Sequence, residues 1–222
     1  MPNHTANNFV IQGPADDINR FIAAVKTDDA DIDFNGVSPI PEELKGITSP
    51  TRIQTQEEVD KAWADWYKCR EAGTLASYEK HRPWSVGITQ TQANDLVTKY
   101  GYANWYDWCV ANWGTKWNAY DAREWSVTEH GDGTAHATIY YETAWSPATA
   151  LWLRVSKNYP TIQFYHEFAD EGGAFLGSET IVNGVIIDEE ELDWNSDDGI
   201  TLREGLGRYY PEDEEENNQI EA

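Results

Sequence analysis

The segment NWYDWCVANWGTKWNAYD, residues 104–121, contains four of the eleven tryptophans of the chain. Trp105, Trp108 and Asn112 have the spacing of one face of a helix. Gly114 follows this predicted helix, and a glycine there can adopt a left-handed conformation that ends it. Rings of this size have to be covered by neighbouring elements, so the segment predicts the junction between a helical part and a sheet part of the fold.

The chain of 222 residues is long enough for one large domain or two small ones with a substantial core. No apolar run approaches the roughly 20 residues of a membrane span, and the first residues lack the regions of an export signal. Cys69 and Cys109 fall in predicted helices, have no metal-like companions and are expected to be reduced, partly buried thiols. We therefore expect a cytoplasmic protein that needs no cofactor and contacts no membrane.

Segments on both sides of residues 104–121 have the patterns of sheets covered by helices. Before it, a strand, a helix that opens at Pro14 and a second strand predict a β-α-β unit. After it come a hairpin, a helix that Ser146 is expected to cap and Pro147 to open, and three strands. The last two strands are joined by Asn183 and Gly184, a typical hairpin turn. The predicted strands are residues 9–12, 32–37, 124–130, 134–143, 161–168, 174–180 and 182–188.

A helical block separates these two halves. Thr55 with Glu58, and Thr89 with Gln92, form two capping boxes that each predict the start of a helix. Because neither half buries its sheet alone, we predict an α+β fold in which the halves complete one split β-α-β sandwich. The predicted domains are residues 1–54 with 120–188 for the sandwich, 55–119 for a helical insertion and 189–222 for an acidic loop and tail.

The net charge of −23 is unusual and is concentrated near the end of the chain. From Asp188 onward, fourteen acidic and two basic residues give −12. Such a polyanion repels nucleic acid, but it attracts proteins that themselves bind nucleic acid. The alternative is that the charge serves only solubility.

Two groups of residues are candidates for binding a partner. The first is acidic, and its later part belongs to a segment from Pro211 that composition predicts to be disordered. The second flanks Gly114 and would act if that junction is not fully covered; the alternative is structural core. The candidates are Glu189, Glu190, Glu191, Glu212, Asp213, Glu214, Glu215, Glu216, Trp113, Lys116 and Trp117.

The residues from Asp193 to Glu204 have the oxygen-ligand spacing of a calcium-binding EF loop. Asp198, however, occupies the position where the sharp turn of that loop needs glycine, and the preceding segment predicts a strand rather than a helix. An acidic surface loop is the alternative. The candidate ligands are Asp193, Asn195, Asp197, Thr201 and Glu204.

Histidines offer a second possible metal site. We predict that His136 lies opposite Thr128 in the hairpin, with His130 diagonally on the same face. Glu142 shares that strand face, but no spacing fixes a third ligand. The chain also has no Gly-rich phosphate loop, nucleophile elbow or Cys-x-x-Cys motif, so no pattern singles out catalytic residues.

Four segments resemble the YubB-like family of phage and plasmid accessory proteins. They are residues 104–108, 113–119 with its Trp-Gly-Thr-Lys-Trp core, 143–147 and 171–177. The resemblance implies a ferredoxin-like domain and a mobile-element protein in the cytoplasm of a bacterial host. It implies no catalytic residues, and the acidic tail is not part of the family pattern.

Two functional hypotheses follow. In the first, the chain is a non-enzymatic acidic protein of a phage or plasmid that binds a host protein through its basic nucleic-acid-binding surface. It would bind no nucleic acid directly, and it could inhibit a defence system by mimicking nucleic acid. In the second, it is a calcium-dependent protein or an enzyme that uses the acidic residues 188–204.

Overall fold

The computed structural model describes residues 3–75 and 86–208. The chain divides into two compact units, one formed by residues 1–38 with 113–222 and the other by residues 39–112. No helix within the described residues is long and apolar enough to cross a membrane.

The two units have different secondary structure. Among the described residues, the second unit contains three of the six α-helices, apart from the last residue of one of them, and the first unit contains the other three α-helices and all six strands. The helices are α1 (Ala15–Val25), α2 (Gln56–Glu71), α3 (Gln90–Tyr100), α4 (Trp105–Trp113), α5 (Thr149–Val155) and α6 (Asp197–Gly205). The strands are β1 (His4–Pro14), β2 (Ser126–Glu129), β3 (Thr134–Ala144), β4 (Gln163–Asp170), β5 (Leu176–Val182) and β6 (Val185–Glu191).

The sheet of the first unit is antiparallel, with the strand order β2-β3-β1-β4-β5-β6. Its first four strands, with α1 and α5, follow the β-α-β-β-α-β order of a ferredoxin-like fold. The last two strands extend the sheet beyond β4. The predicted α+β class and the single sheet shared by both halves of the chain are therefore confirmed.

The second unit is inserted between α1 and β2. The predicted domain boundaries lie after residues 54 and 119. Along the chain, the boundaries between the two units lie after residues 38 and 112. The segment 39–54 therefore belongs to the inserted unit, and residues 113–119 belong to the unit with the sheet.

The predicted strand at residues 32–37 is wrong, because this segment forms a single 3-10 turn. The Asp33 carboxylate accepts a hydrogen bond from the Asn35 backbone N–H at 2.8 Å, which closes the turn. Gly36 lies so close to α1 that a Cβ atom would be 2.0 Å from the Ala24 carbonyl oxygen. The strand that completes the first β-α-β crossover is therefore β2, which follows the inserted unit.

Aromatic side chains fill the space between the sheet and the helices that cover one of its faces. Phe9 of β1 stacks on Trp152 of α5, with ring centroids 4.4 Å apart. Phe21 of α1 meets Phe164 of β4 edge to face at 5.4 Å. All four side chains are fully buried, so α1 and α5 are fixed to the sheet by this cluster.

The start of α5 differs from the prediction. Ser146 and Pro147 were expected to cap and open this helix, but its first residue is Thr149 and its N-cap is Ala148. The Ser146 hydroxyl instead donates a hydrogen bond to the Gly114 carbonyl. Ser146 therefore joins two segments of the first unit rather than capping a helix.

The local signals of the second unit are confirmed. Both capping boxes form, at Thr55 with Glu58 and at Thr89 with Gln92. Cys69 was expected to be partly buried in α2, but it is exposed. The helix has a short buried stripe, and Cys69 lies outside it.

Candidate functional site

Three of the predicted acidic residues lie together at an edge of the sheet. Glu189, Glu190 and Glu191, with Asp188 before them, are consecutive and exposed on β6. This strand pairs with β5 on one side, and none of the described residues forms a strand on its other side. We call residues 188–191 the acidic edge.

A tight turn places the acidic edge. Asn183 and Gly184 have φ angles of +48° and +80°, as the predicted hairpin turn requires. The register between β5 and β6 shifts after Thr180, so a bulge lies beside the start of the acidic edge. Bulges and charged side chains on an edge strand both prevent it from pairing with a strand of another sheet. Protection of this edge is therefore the structural role of the acidic edge that requires no partner.

The candidate calcium loop is replaced by a helix start. The Ser196 hydroxyl accepts a hydrogen bond from the Gly199 N–H at 3.0 Å and thereby caps α6. The Asp193 carboxylate accepts one from the Asn195 N–H at 2.8 Å. A Cβ atom at Gly199 would lie 2.0 Å from the Asp193 carbonyl oxygen, so this tight turn requires glycine. The expected acidic loop is therefore a capped helix.

The three remaining calcium candidates, Asp197, Thr201 and Glu204, lie within the helix itself. Thr201 donates its hydroxyl proton to the Asp197 carbonyl at 2.8 Å, one turn back in α6. Glu204 is exposed in the last turn of the same helix. Within the described ranges, no three His, Cys, Asp or Glu side chains are grouped to hold a metal ion.

The helix α6 packs on the face of the sheet opposite α1 and α5. Leu206 is buried there against Ala6, Ala169 and Leu176. Beside this contact lies a cavity of about 320 Å³. Its walls include Asn8, Glu167, Asp198, Thr201, Leu202, Gly205 and Leu206.

The two arginines that follow the acidic edge do not neutralise it. The Arg203 side chain is buried, and its Nε donates to the Trp194 carbonyl at 3.3 Å. Arg208 donates to the Glu142 carboxylate at 3.2 Å and to the His4 carbonyl at 3.2 Å. Both guanidinium groups are occupied inside the first unit, so the charge of the acidic edge faces solvent.

The aromatic candidates separate into two environments. Trp113 is only 1% exposed and donates its indole N–H to the Ser38 carbonyl at 2.9 Å, so its predicted surface role is wrong. Trp117 is 39% exposed. The Lys116 ammonium lies 4.8 Å from the Trp117 ring centroid and 4.4 Å from that of Trp145. Sequence reasoning missed Trp145, because it lies far along the chain from the other two.

The histidine pair of the hairpin is confirmed. His136 pairs with Thr128, and its Nδ1 is 3.1 Å from Nε2 of His130. Glu142, the proposed third group, is instead hydrogen-bonded to Arg208. The two imidazoles therefore lie on the exposed hairpin, and among the described residues no carboxylate completes a metal site with them.

A polar network is buried under α5, and no local sequence pattern predicts it. His166 is fully buried, with Nδ1 3.0 Å from the Glu179 carboxylate and Nε2 2.9 Å from the Asn7 side-chain oxygen. The Asn7 amide nitrogen donates to the Thr5 carbonyl at 2.8 Å, which fixes its oxygen toward His166. Thr149 of α5 donates to Glu179 at 2.8 Å. The network is closed to solvent and satisfied internally, so it is structural.

The remaining candidates, Glu212, Asp213, Glu214, Glu215 and Glu216, lie outside the described residues.

Residues 112–221 match the family model for the ferredoxin-like domain in Api92-like protein. The match covers β2 to β6, α5 and α6, and it includes the acidic C-terminal segment. No curated protein matches the chain. A crystal structure of protein Api92 from Yersinia pseudotuberculosis is similar over 86% of this chain and 98% of that one, with 8% identity and a TM-score of 0.43.

Proposed function

We propose that this chain is a non-enzymatic protein that binds the basic surface of another protein through its acidic edge. Four consecutive exposed carboxylates on an edge strand carry this proposal. They belong to a chain of net charge −23, and the arginines that follow them are occupied elsewhere. A basic protein would therefore be attracted over a long range and then meet a dense local charge.

The spacing of the acidic edge supports mimicry of a nucleic-acid strand. A β-strand rises about 3.3 Å per residue and its successive side chains point to opposite faces, so residues 188–191 present one carboxylate per such step when both faces are counted. One strand of DNA carries one phosphate charge per roughly 3.4 Å of helix axis. A groove that encloses both faces of the acidic edge would thus meet a similar linear charge density here.

We extend this proposal to the origin and target of the protein. The four segments that resemble YubB-like proteins support a phage or plasmid protein that acts in the cytoplasm of a bacterial host. Host enzymes that restrict mobile elements bind DNA through basic grooves, and an acidic protein that fills such a groove would inhibit them. The proposed partner is a host defence protein of this kind.

The test compares two variants with the same change in net charge. The first neutralises the acidic edge by Asp188→Asn, Glu189→Gln, Glu190→Gln and Glu191→Gln. The control neutralises four exposed carboxylates of α2 by Glu57→Gln, Asp60→Asn, Asp65→Asn and Glu71→Gln. Both variants and the wild-type protein are used to capture proteins from a nuclease-treated bacterial lysate. We expect the first variant alone to lose a basic partner that wild-type protein retains.

Competition and salt distinguish this function from other outcomes. Double-stranded DNA should displace the captured partner, and retention should fall as salt screens the charges. Equal loss in both variants would show that only total charge matters, and loss on neutralising Glu212 to Glu216 alone would assign binding to the C-terminal segment. Direct binding of DNA or RNA at physiological salt contradicts the proposal. A calcium-dependent rise in thermal stability that Glu204→Gln abolishes would instead support a metal-dependent function.

A further inference from the structure

Two exposed tryptophans of the first unit flank a single cation. Trp117 is 39% exposed and Trp145 is 43% exposed. The Lys116 ammonium lies within 4.8 Å of both ring centroids. We call the two rings the tryptophan clamp, because their faces hold one positive charge between them.

The backbone that carries the clamp is fixed by hydrogen bonds between two segments. The Ala144 N–H donates to the Thr115 hydroxyl at 3.2 Å, and that hydroxyl donates to the Ala144 carbonyl at 2.8 Å. The Trp145 N–H donates to the Asn3 carbonyl at 2.9 Å. Both indoles are therefore carried by backbone segments that hydrogen bonds fix near the end of β3. A ligand that binds there has to immobilise less of the chain, so binding costs less conformational entropy.

Trp145 has a backbone conformation that a tryptophan rarely adopts. Its φ angle is +74°, in the left-handed region that favours glycine. Strained residues of this kind persist where the surrounding structure fixes them, and they concentrate at functional sites. Here the strained residue carries an indole ring that is 43% exposed.

Carboxylates lie near Tyr120, whose ring contacts one ring of the clamp. Tyr120 meets Trp117 edge to face at 6.3 Å. The pKa of Tyr120 is raised to about 12, first by burial and then by Glu142, Glu171 and Asp121, with Arg208 opposing. Glu142, Glu171 and Asp121 thus place negative charge near the tyrosine that contacts Trp117.

We propose that the tryptophan clamp binds an arginine side chain of the basic protein partner, and that Lys116 occupies the clamp until the partner arrives. This inference rests on the proposed function. A planar guanidinium stacks on indole faces better than an ammonium does. Among the described residues no carboxylate lies within 4.0 Å of the Lys116 ammonium, so only the two rings hold it in place. An arginine can therefore displace Lys116 without breaking an ion pair.

The direct test uses a small cation and its uncharged analogue. Nitrogen-15-labelled protein is titrated with N-acetyl-arginine amide, and the indole N–H resonances are followed by NMR. We expect saturable shifts at Trp117 and Trp145, with the buried Trp113 as an internal reference that does not respond. N-acetyl-citrulline amide has nearly the same shape without the charge and should give no such shifts.

Variants test the role of Lys116 as a stand-in cation. Lys116→Gln removes the competing charge and should lower the dissociation constant for the arginine probe about threefold, the size of one exposed cation–π contact. Trp117→Leu should raise it about fivefold by the same reasoning. Because Lys116→Gln is expected to strengthen binding, a defect in folding cannot imitate its effect.

Several results would overturn the inference without affecting the acidic edge. Equal shifts with the citrulline probe would show unspecific stacking, and unchanged indole resonances would show that arginine does not enter the clamp. A partner that requires the acidic edge but is retained equally by the Trp117→Leu variant would also exclude the clamp while leaving the proposed function intact. Conversely, clamp shifts without any partner that depends on the acidic edge would contradict the proposed function alone.

Discussion

Two short segments of this protein each contain one buried and one exposed tryptophan. Trp113 and Trp117 lie four residues apart, and Trp145 and Trp152 lie seven residues apart. Trp113 and Trp152 are 1% and 0% exposed, whereas Trp117 and Trp145 are 39% and 43% exposed. Residue type and spacing therefore do not decide which tryptophans form the core.

The partners of the rings explain the difference. Each buried indole donates its N–H inside the first unit, Trp113 to the Ser38 carbonyl and Trp152 to the Tyr141 hydroxyl. The two exposed rings instead present their faces to Lys116. A tryptophan can enter a core when its polar atom is satisfied there, and it can remain at the surface when its face has a charged ligand.

The largest expected effect is the loss of a buried ring. Trp152→Ala should lower the free energy of unfolding by about 3–5 kcal/mol, because the cavity would open among the rings of Phe9 and Phe21. Trp117→Ala should cost less, about 1–2 kcal/mol, because 39% of that residue is already exposed in the folded protein and its removal opens no enclosed cavity. Urea denaturation of both variants measures the two losses in the free energy of unfolding. Equal losses would contradict the distinction between a core tryptophan and a surface tryptophan.

The rule that a buried polar atom needs a hydrogen-bond partner should hold for the histidine network as well. Glu179→Leu leaves the buried His166 facing a single acceptor, and we expect a loss of about 3 kcal/mol. The double variant His166→Phe with Glu179→Leu removes both partners and should recover part of that loss. Thermal and urea denaturation test this, and strictly additive losses would show that the two side chains do not act as a pair.

The strain at Trp145 gives a smaller and more selective effect. Trp145→Gly and Trp145→Ala both remove the ring, but only glycine adopts a φ angle of +74° without steric strain. The glycine variant should therefore be more stable than the alanine variant by about 1 kcal/mol. Equal stabilities would show that the backbone relaxes once the ring is gone, so that the tryptophan itself imposes the conformation.

Features decided by neighbouring residues were predictable from the sequence. The capping boxes at Thr55 and Thr89 and the turn at Asn183 and Gly184 form as expected, because each depends on hydrogen bonds within a few residues. The pairing of His136 with Thr128 follows from the same hairpin geometry. The α+β class was predictable as well, since it needs only the types and order of the elements.

Features decided by distant pairings were not predictable. The strand β1 begins at His4, whereas the sequence predicted a start at Phe9. The prediction missed the first residues of the strand because Thr5 and Asn7 are polar but occupy buried positions. Asn7 is satisfied by Thr143, which is 136 residues away, and this partner exists only after β1 and β3 pair. The clamp has the same origin, because Trp145 approaches Lys116 only through the folded backbone.

The smallest expected effect is a pH dependence of stability that comes from Tyr120, which contacts the exposed Trp117. The pKa of Tyr120 is raised to about 12 in the folded protein, mainly by burial, whereas a tyrosine in an unfolded chain titrates near pH 10. Between about pH 10 and 12 the unfolded chain binds fewer protons at this residue than the folded protein, so stability falls as pH rises. Below pH 10, Tyr120 contributes no slope.

Tyr120→Phe isolates this contribution from those of the other tyrosines. The variant loses the hydrogen bond to the Thr143 carbonyl, so its stability is lower at every pH, but its slope above pH 10 should be shallower than that of the wild-type protein. The two curves should therefore converge as pH rises toward 12. Parallel curves would mean that the Tyr120 phenol titrates as it does in the unfolded chain. Neither burial nor the nearby carboxylates would then raise the free energy of the phenolate in the folded protein.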